Sequence, residues 1–220
     1  MIPSGVLANS AAIILGGVLG TLLRNIFPKR IVEIFPRLLG LSAMAIGVVN
    51  IVKATNISYV VLALLAGTVI GEALSLEARA TNGIHSLKTL GKESEREIFL
   101  SLIVLFSMSG TGIFGALHSG LSQDHSVLYA KAVLDFFTAF SFSLGLGFIV
   151  STIALAQFVV QIVFYLFGLI FVTSLSPSTI SNFQAVGGLI TFAIGLKLFH
   201  DTPLRILNLT PALLLALLFA

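Results

Sequence analysis

The sequence predicts an all-helical membrane bundle of about eight transmembrane helices. Of its 220 residues, 57% are hydrophobic and 10% charged, and the mean hydropathy is +1.08. A soluble protein of this length has roughly a quarter of its residues charged. Apolar runs of about 20 residues recur along the chain, and only helices or closed barrels satisfy the backbone in lipid. Because the alternation typical of a barrel is missing, these runs predict helices.

Composition excludes several classes of function. The net charge is +3 and the pI about 9.5, but the twelve basic residues are scattered among apolar segments, so no nucleic-acid partner is predicted. Cysteine is absent, which removes disulfides, thiolate nucleophiles and cysteine metal sites. No cofactor and no metal site are predicted. The first four residues form no positively charged leader, so we expect the first span to be retained.

Charged residues and proline, asparagine or aspartate divide the apolar runs into eight predicted spans. These are residues 5–24, 37–53, 58–75, 97–118, 127–150, 153–174, 181–199 and 205–220. Only Ser151 and Thr152 separate the fifth and sixth spans, so these two could instead form one broken element and give seven crossings. The chain is predicted to be a single transmembrane domain, residues 1–220.

The basic residues favour eight spans, because short cytoplasmic loops collect lysine and arginine. Ten of the twelve lie on or beside alternate loops, namely Arg24, Lys29, Arg30, Arg37, Arg79, Lys88, Lys92, Arg96, Lys197 and Arg205. Seven spans would move the last two to the outer side. The eight-span arrangement predicts that both termini lie outside.

Residues 76–96 form the extended polar segment of the sequence. Apolar residues recur in it at helical spacing, namely Leu76, Ala80, Ile84, Leu87 and Leu90. This pattern predicts a cytoplasmic interfacial helix. A solvated connector is the alternative, because two glycines weaken helix formation.

A faint internal repeat relates the two halves of the chain. Residues 40–47 match residues 188–195 at five of eight positions, and the same 148-residue offset superposes spans 1–3 on spans 6–8. An odd number of spans separates the copies, so they would have opposite orientations, as in inverted-repeat transporters. Chance identity is the alternative, since the matching residue types are abundant here.

Asp135 is the foremost candidate for a site in the membrane. In a helix that starts near Ser126 it lies about 13 Å along the axis, close to the midplane. Lys131 precedes it by four residues, a spacing that lets the two charges meet on one helix face. The pair is either a site for a cation, a proton or an anionic substrate, or a buried structural ion pair with Lys131 reaching the surface.

The fourth predicted span contains a dense cluster of small and hydroxylated residues. Its candidate site residues are Ser109, Gly110, Thr111 and Gly112. Small residues let helices pack closely, which is the plainer interpretation. An unwound helix whose backbone binds an ion or solute is the alternative.

The loop after this span is predicted to lie outside and contains His118, Asp124, His125 and Ser126. Asp124 or Ser126 is a candidate N-cap for the fifth helix. The two histidines and the aspartate could also form a metal or proton-relay site, but their spacing matches no specific zinc motif.

Three further polar residues complete the candidate pathway. Glu72 follows a glycine step near the cytoplasmic end of the third span, and Asn9 lies in the first span. Asn208 precedes Pro211, which would free a carbonyl within the last span for Asn208 or an ion to satisfy. Buried amides of this kind more often bond to neighbouring helices than line a pathway.

These residues together resemble a known bacterial membrane family, domain of unknown function 554. The resemblance rests on Asn9, Gly16, Gly17, Gly67, Gly71, Glu72, Gly120, Leu121, Asp124, His125, Ser126, Lys131, Leu134, Asp135, Asn208 and the run 211–216. It covers the whole chain, and its most specific block is 120–135. The resemblance implies a multi-pass protein of the bacterial inner membrane, often described as a possible transporter. Gln123 departs from the glycine of the family pattern.

Two functions remain open from the sequence. The first is a small transporter or channel for an ion or small solute, with its polar site near Asp135. The second is a scaffold or sensor that transports nothing and binds a cytoplasmic partner through residues 76–96. An enzyme is not predicted, because no catalytic motif is present. Partners are the lipid bilayer, the solute and, through glycine-rich faces, a second copy in a homodimer.

Overall fold

The protein is helical throughout the residues described by the structure, a computed structural model that covers 2–84, 93–107, 109–171, 176–200 and 202–218. Its α-helices are α1 Ser4–Leu23, α2 Lys29–Ile51, α3 Ile57–Ala73, α4 Leu76–Ile84, α5 Glu93–Ser107, α6 Gly110–Ser122, α7 Ser126–Leu146, α8 Ile153–Phe171, α9 Pro177–Phe199 and α10 Pro211–Leu218. Two 3-10 turns, Gly147–Thr152 and Ile206–Leu209, complete the secondary structure of these ranges.

Six helical segments of the described chain are long and apolar enough to cross a membrane. They are Ser4–Leu23, Ile57–Leu74, Glu95–Ile113, Ser126–Leu146, Ile149–Ile170 and Pro177–Phe199, of which Glu95–Ile113 includes the end of α5 and the start of α6. Two shorter apolar helices, Arg37–Ile51 and Ile206–Leu217, coincide with the second and eighth predicted spans. The predicted all-helical class is confirmed for the described residues, with six segments that are candidates for membrane spans.

The fourth predicted span is interrupted. We expected one span over 97–118, but α5 ends at Ser107 and α6 begins at Gly110. Ser109 lies between them with an extended backbone (ψ 137°), and its hydroxyl accepts a hydrogen bond from the Gly112 N–H at 3.1 Å. This serine is therefore the N-cap of a new helix, since its side chain satisfies a donor that no preceding turn can reach.

Proline also starts a helix near the carboxyl end. The sequence placed Pro211 inside a span over 205–220, where it would free a carbonyl, but Pro211 is the first residue of α10. At that position the missing N–H removes no helical hydrogen bond. The preceding residues 206–209 form a 3-10 turn instead.

The predicted interfacial segment 76–96 is divided among three stretches. Helix α4 covers Leu76–Ile84, and Ser75 adopts a positive φ of 51° where the chain turns from α3 into α4. Residues 85–92, with Leu87 and Leu90, lie outside the described residues. Residues 93–96 are the first turn of α5.

The contacts divide the chain into two compact units. Unit 1 contains Met1–Leu39 and Phe106–Thr173, and unit 2 contains Gly40–Leu105 and Ser174–Ala220. The division falls within α2 and α5, so neither unit is a continuous stretch of chain. Each unit brings together helices from both ends of the sequence.

Helix α1 is the centre of unit 1 and packs through glycines. A Cβ on Gly5 would lie 2.9 Å from the Leu128 Cβ, and one on Gly20 would lie 2.2 Å from the Phe140 carbonyl oxygen. Because later residues of α1 meet later residues of α7, the two helices are parallel. Such close approach of backbones is typical of small-residue packing in membranes.

Helix α8 runs along α1 in the opposite direction. The Ser10 hydroxyl lies 2.8 Å from Gln157 Oε1, whereas a Cβ on Gly17 would lie 2.2 Å from the Ser151 hydroxyl. The reversal from α7 occurs at Gly147, whose φ of +76° and ψ of −158° favour glycine. Helices α7 and α8 are therefore separate antiparallel elements and not one broken helix.

Glycines also bring the helices of unit 2 together. A Cβ on Gly40 would lie 2.8 Å from the Gly195 carbonyl oxygen, and one on Gly47 would lie 2.7 Å from that of Gly188. Helices α2 and α9 are thus antiparallel and in backbone contact. Helices α3 and α10 meet similarly, since a Cβ on Gly67 would lie 2.3 Å from the Ala212 nitrogen.

Candidate functional site

A buried ion pair lies at the middle of α7. The Lys131 Nζ is 2.9 Å from Asp135 Oδ1 and 2.8 Å from Oδ2, and the two side chains are 7% and 9% exposed. The predicted contact between Lys131 and Asp135 on one helix face is confirmed. The Lys131 side chain is buried, so it does not reach the surface as the structural alternative expected. A single charge at this depth costs about 2.5–3.5 kcal/mol on insertion scales, so the pair neutralises a large penalty.

Buried polar groups of α1 lie beside this ion pair. Asn9 is fully buried, and its amide lies against the Asp135 carboxylate and interacts with it. The Ser10 hydroxyl lies within hydrogen-bond distance of the Val6 carbonyl oxygen and of Gln157 Oε1. Asn9, proposed from the sequence, is thus brought to Asp135.

The start of α6 approaches the ion pair from another side. A Cβ on Gly112 would lie 2.7 Å from the Lys131 Cε, 2.9 Å from the Ser109 hydroxyl and 3.3 Å from the Gln161 Nε2. Glycine at this position therefore leaves room for the lysine side chain. Ser109 and Gly112 lie beside Lys131, as proposed, and Gly110 and Thr111 complete the first turn of α6.

Two glutamines of α8 complete the cluster and were missed in the sequence. Gln157 and Gln161 are fully buried, and Gln157 Nε2 and both amide atoms of Gln161 have no hydrogen-bond partner among the described residues. They are four residues apart in the most apolar long span, Ile149–Ile170. That spacing is the signal that could have identified them, because two amides on one face of such a helix need partners.

We call the set Asn9, Ser10, Ser109, Lys131, Asp135, Gln157 and Gln161 the polar cluster. All seven residues belong to unit 1, and all are buried. Buried polar groups are paired in most native structures, and an unpaired one costs about 1–3 kcal/mol. Chemically, the cluster offers one ammonium, one carboxylate and several amide donors and acceptors that the described protein leaves unused.

The end of α6 and the loop between α6 and α7 form a second, more exposed group in unit 1. His118 Nε2 lies 3.7 Å from Asp124 Oδ2, and the Ser119 hydroxyl is hydrogen-bonded to His125 Nδ1. The described residues contain no group of three metal-ligating side chains that could hold a metal ion.

Asp124 helps to start α7, although neither predicted cap is the N-cap residue. That position is His125, while Ser126 is the first helical residue and donates its backbone N–H to Asp124 Oδ1 at 2.9 Å. This hydrogen bond, with contributions from the Ser126 side chain and His118, holds the pKa of Asp124 below its ordinary value. The ionised Asp124 carboxylate thus accepts a hydrogen bond from a backbone N–H at the start of α7.

Gln123 ends α6 in the left-handed conformation, with φ 60° and ψ 15°. A glycine would adopt this conformation without strain. The Gln123 side chain compensates, because its Nε2 donates to the carbonyl oxygens of Gly120 and Ser119 at 3.0 and 3.3 Å. The turn before Asp124 is therefore held by a side chain.

Glu72 and Asn208, the other two proposed site residues, belong to unit 2. Asn208 is buried, and its Oδ1 accepts the Glu77 N–H at 2.8 Å, while Glu77 Oε2 accepts the Leu207 N–H at 3.0 Å. Glu72 is 3.0 Å from Arg205, and both are exposed. Asn208 therefore satisfies the start of α4 and not a carbonyl freed by Pro211.

Comparison with known proteins identifies the family. A family described as "Protein of unknown function (DUF554)" matches residues 4–220. The chain is 40% identical over 221 residues to "Uncharacterized protein YqgA" of Escherichia coli (strain K12), covering 97% of this chain and 94% of that protein. It is 25% identical over 215 residues to "Uncharacterized membrane protein YdfK" of Bacillus subtilis (strain 168), covering 96% and 93%. No solved structure matches. The chain therefore belongs to the DUF554 family, as its resemblance predicted.

Proposed function

We propose that this protein is a small transporter of the bacterial inner membrane whose solute site is the polar cluster. The observation that carries the proposal is the buried amide atoms without a partner among the described residues, Gln157 Nε2 and both amide atoms of Gln161, in the cluster that contains Lys131 and Asp135. A scaffold would gain nothing from leaving these groups unpaired, because each costs stability. A solute site needs them, since they give an entering molecule its hydrogen bonds.

The interrupted fourth span supports the same function. Discontinuous helices in transporters direct helix ends toward the substrate near the midplane. Here the break at Ser109 directs the first turn of α6 to Lys131. A continuous helix would have enclosed these backbone groups in its own hydrogen bonds.

An inverted repeat is part of the proposal, and helix contacts support it. Gly188 follows Gly40 by 148 residues, and Gly195 follows Gly47 by the same number. The contacts are reciprocal, because Gly40 contacts Gly195 and Gly47 contacts Gly188. A two-fold axis produces this reciprocity. Two further contacts have equivalents at the same offset. The contact Gly47–Phe192 corresponds to Gly195–Met44, and Gly40–Phe199 corresponds to Gly188–Ile51.

The repeat also relates residues of the site. Gln157 follows Asn9 by 148 residues, and the two lie on the antiparallel helices α1 and α8. Likewise Gly168, which follows Gly20 by 148 residues, packs against α6 while Gly20 packs against α7. In this proposal the site is built from equivalent positions of two opposed copies, as in inverted-repeat transporters.

The proposed topology has eight crossings with both termini outside. The six long and two short apolar helices support this number, as does the reversal of direction between α7 and α8. The distribution of lysine and arginine over alternate loops supports the orientation. The name of the Bacillus subtilis relative supports a membrane location.

The proposal is tested by solute flux into proteoliposomes. The wild-type protein is expected to carry one member of a panel of small cations, anions and neutral metabolites. Gln161→Leu removes an unpaired amide without leaving a charge and should abolish that flux while the protein still folds. Gln184→Leu, at a buried amide of unit 2, is the matched control and should retain it. Equal flux of both variants, or a folded wild type that carries nothing, would contradict the proposal and favour a scaffold.

A further inference from the structure

The polar cluster has balanced charges but an excess of positive electrostatic potential near Lys131. Lys131 and Asp135 cancel one another. The N-terminal turn of α6 lies against the Lys131 side chain, and a helix N-terminus carries a partial positive charge. The Gln161 Nε2, buried and without a partner among the described residues, points to the same place.

We propose that the cluster binds a small monovalent anion at Lys131, and that Asp135 takes up one proton as the anion enters. This inference rests on the proposed transport function and names its substrate class. The anion would accept hydrogen bonds from Lys131 and from Gln161, whose amide donor has no partner among the described residues.

The step conserves charge within the site. Before binding, the ammonium of Lys131 faces the carboxylate of Asp135. On binding, the ammonium pairs with the anion, and Asp135 becomes a neutral carboxylic acid with a proton from water. The site is neutral in both states, which matters because an uncompensated charge at this depth is disfavoured. Anion and proton therefore leave together, and the Lys131–Asp135 pair forms again.

A metal cation or ammonium ion fits the cluster less well. It would share Asp135 with a lysine that remains charged and would lie beside the positive end of α6. Two cations on one carboxylate leave a net positive charge in a buried site. The amide oxygens of Asn9 and Gln161 carry only partial charges, so they would offset this net positive charge less than a second carboxylate would.

The neighbouring elements contribute no other group that could supply the proton from within. Helix α1 and the turn Gly147–Thr152 contain no titratable side chain, and His118 of α6 lies 3.7 Å from Asp124 in the outer loop. On α8 the titratable side chain is Tyr165, which faces His125. Asp135 is therefore the group whose protonation compensates the anion.

The test is calorimetric titration of the detergent-solubilised wild-type protein with nitrate and with chloride, against a gluconate background. Repeating the titration in buffers of different ionisation enthalpy gives the number of protons taken up. The expected result is one proton per anion. Over the pH range in which Asp135 is ionised in the free site and protonated in the anion-bound site, affinity should then fall about tenfold for each unit rise in pH.

Two variants assign the proton and the anion to their residues. Asp135→Asn resembles the protonated acid, so it should bind nitrate with no proton uptake and with equal affinity at low and high pH. Lys131→Met should weaken nitrate binding at least about a hundredfold at every pH, since the charged contact is lost. Thr138→Ala, on the same helix with its hydroxyl bonded to the Leu134 carbonyl oxygen, is the control and should retain the wild-type pH dependence.

The outcomes separate this inference from the proposed function. Nitrate or chloride binding without proton uptake by the wild type would overturn the coupling. If the protein binds or carries sodium, potassium or a neutral metabolite but neither nitrate nor chloride, the anion assignment would be overturned. The proposed transport function would then still stand. A folded wild type that binds and carries none of these probes would overturn both.

Discussion

The two units use buried polar side chains in different ways. In unit 2, Asn182 Oδ1 accepts hydrogen bonds from the Thr55 N–H, the Thr55 hydroxyl and the Asn56 N–H at 3.0–3.1 Å, which holds the turn between α2 and α3. In unit 1, Gln161 lies within a helix, and neither of its amide atoms has a partner among the described residues. Asn182 thus stabilises a helix end, whereas Gln161, in the proposed function, is available to a ligand.

The same contrast extends to charged groups. Lys197 of unit 2 donates to the Leu204 carbonyl oxygen at 2.9 Å and lies within 3.7 Å of Glu77 and Glu97. Lys131 of unit 1 has one acidic neighbour, Asp135, at the middle of a span. A charge with several partners at a helix end is typical of structural stabilisation, and a single neutral pair at membrane depth is typical of a functional site.

The largest expected effect comes from breaking the buried pair. Lys131→Met leaves the Asp135 carboxylate buried without a counter-ion and should destabilise the protein by about 3–5 kcal/mol. Arg205→Met removes the partner of Glu72 in the exposed pair of unit 2 and should cost less than about 1 kcal/mol. Unfolding in detergent, followed by circular dichroism, measures both.

The double variant Lys131→Met/Asp135→Leu sharpens this result. With both charges removed, stability should return to near the wild-type value while solute flux stays absent, because the site is lost and the fold is not. Wild-type flux from this variant would mean that the pair is only structural.

Close helix packing should respond alike in both units. Gly16→Ala would place a Cβ 2.3 Å from the Phe136 carbonyl oxygen, and Gly67→Ala faces the Ala212 backbone at the same distance. Each should cost about 1–3 kcal/mol, since two backbones must move apart. Leu62→Ala on the exposed side of α3 is the control, expected within about 0.5 kcal/mol. A large difference in stability between the two glycine variants would mean that close glycine packing is important in only one of the units.

Asn182→Ala tests the structural role of amides in unit 2. It leaves two backbone N–H groups without their acceptor and should destabilise the protein by about 2 kcal/mol. Asn9→Ala in unit 1 removes one amide beside Asp135, which stays paired with Lys131, and should therefore destabilise the protein less. If Asn9→Ala proves the more destabilising in thermal unfolding, the contrast between the units is wrong.

The smallest expected effect concerns the end of α6. Gln123→Ala loses the hydrogen bonds to Ser119 and Gly120 and keeps the left-handed backbone, so it should cost about 1 kcal/mol. Gln123→Gly loses the same bonds but relaxes the backbone, so its stability should lie near that of the wild type. Equal melting temperatures of the two variants would mean that the backbone there carries no strain.

The sequence predicted those features that depend on local patterns. Apolar runs located the helices, and the four-residue spacing of Lys131 and Asp135 predicted their contact. Features that depend on neighbouring helices were harder to predict. Pro211 looked like an interruption of a span, because nothing local indicates that residues 206–209 form a separate 3-10 turn.

The missed glutamines show the limit most clearly. A buried amide in a span usually bonds to an adjacent helix, so Gln157 and Gln161 resembled Gln184 and Asn182 until the packing of α8 on α1 was known. The Asn182 amide oxygen accepts three hydrogen bonds, whereas the Gln161 amide has no partner among the described residues. This difference depends on which residues face the amide across the helix pair, and spacing within one helix does not record it.

The proposal that the polar cluster receives a solute from water during transport can be tested directly because the chain has no native cysteine. Gln161→Cys places a thiol in the cluster, and Val163→Cys places one at a position on α8 that is 56% exposed on its apolar surface. A water-soluble methanethiosulfonate reagent, which needs the thiolate and therefore water, is applied to both variants in membranes. Transport through the cluster predicts rapid modification of Gln161→Cys and little of Val163→Cys. An unreactive Gln161→Cys in folded protein would contradict it.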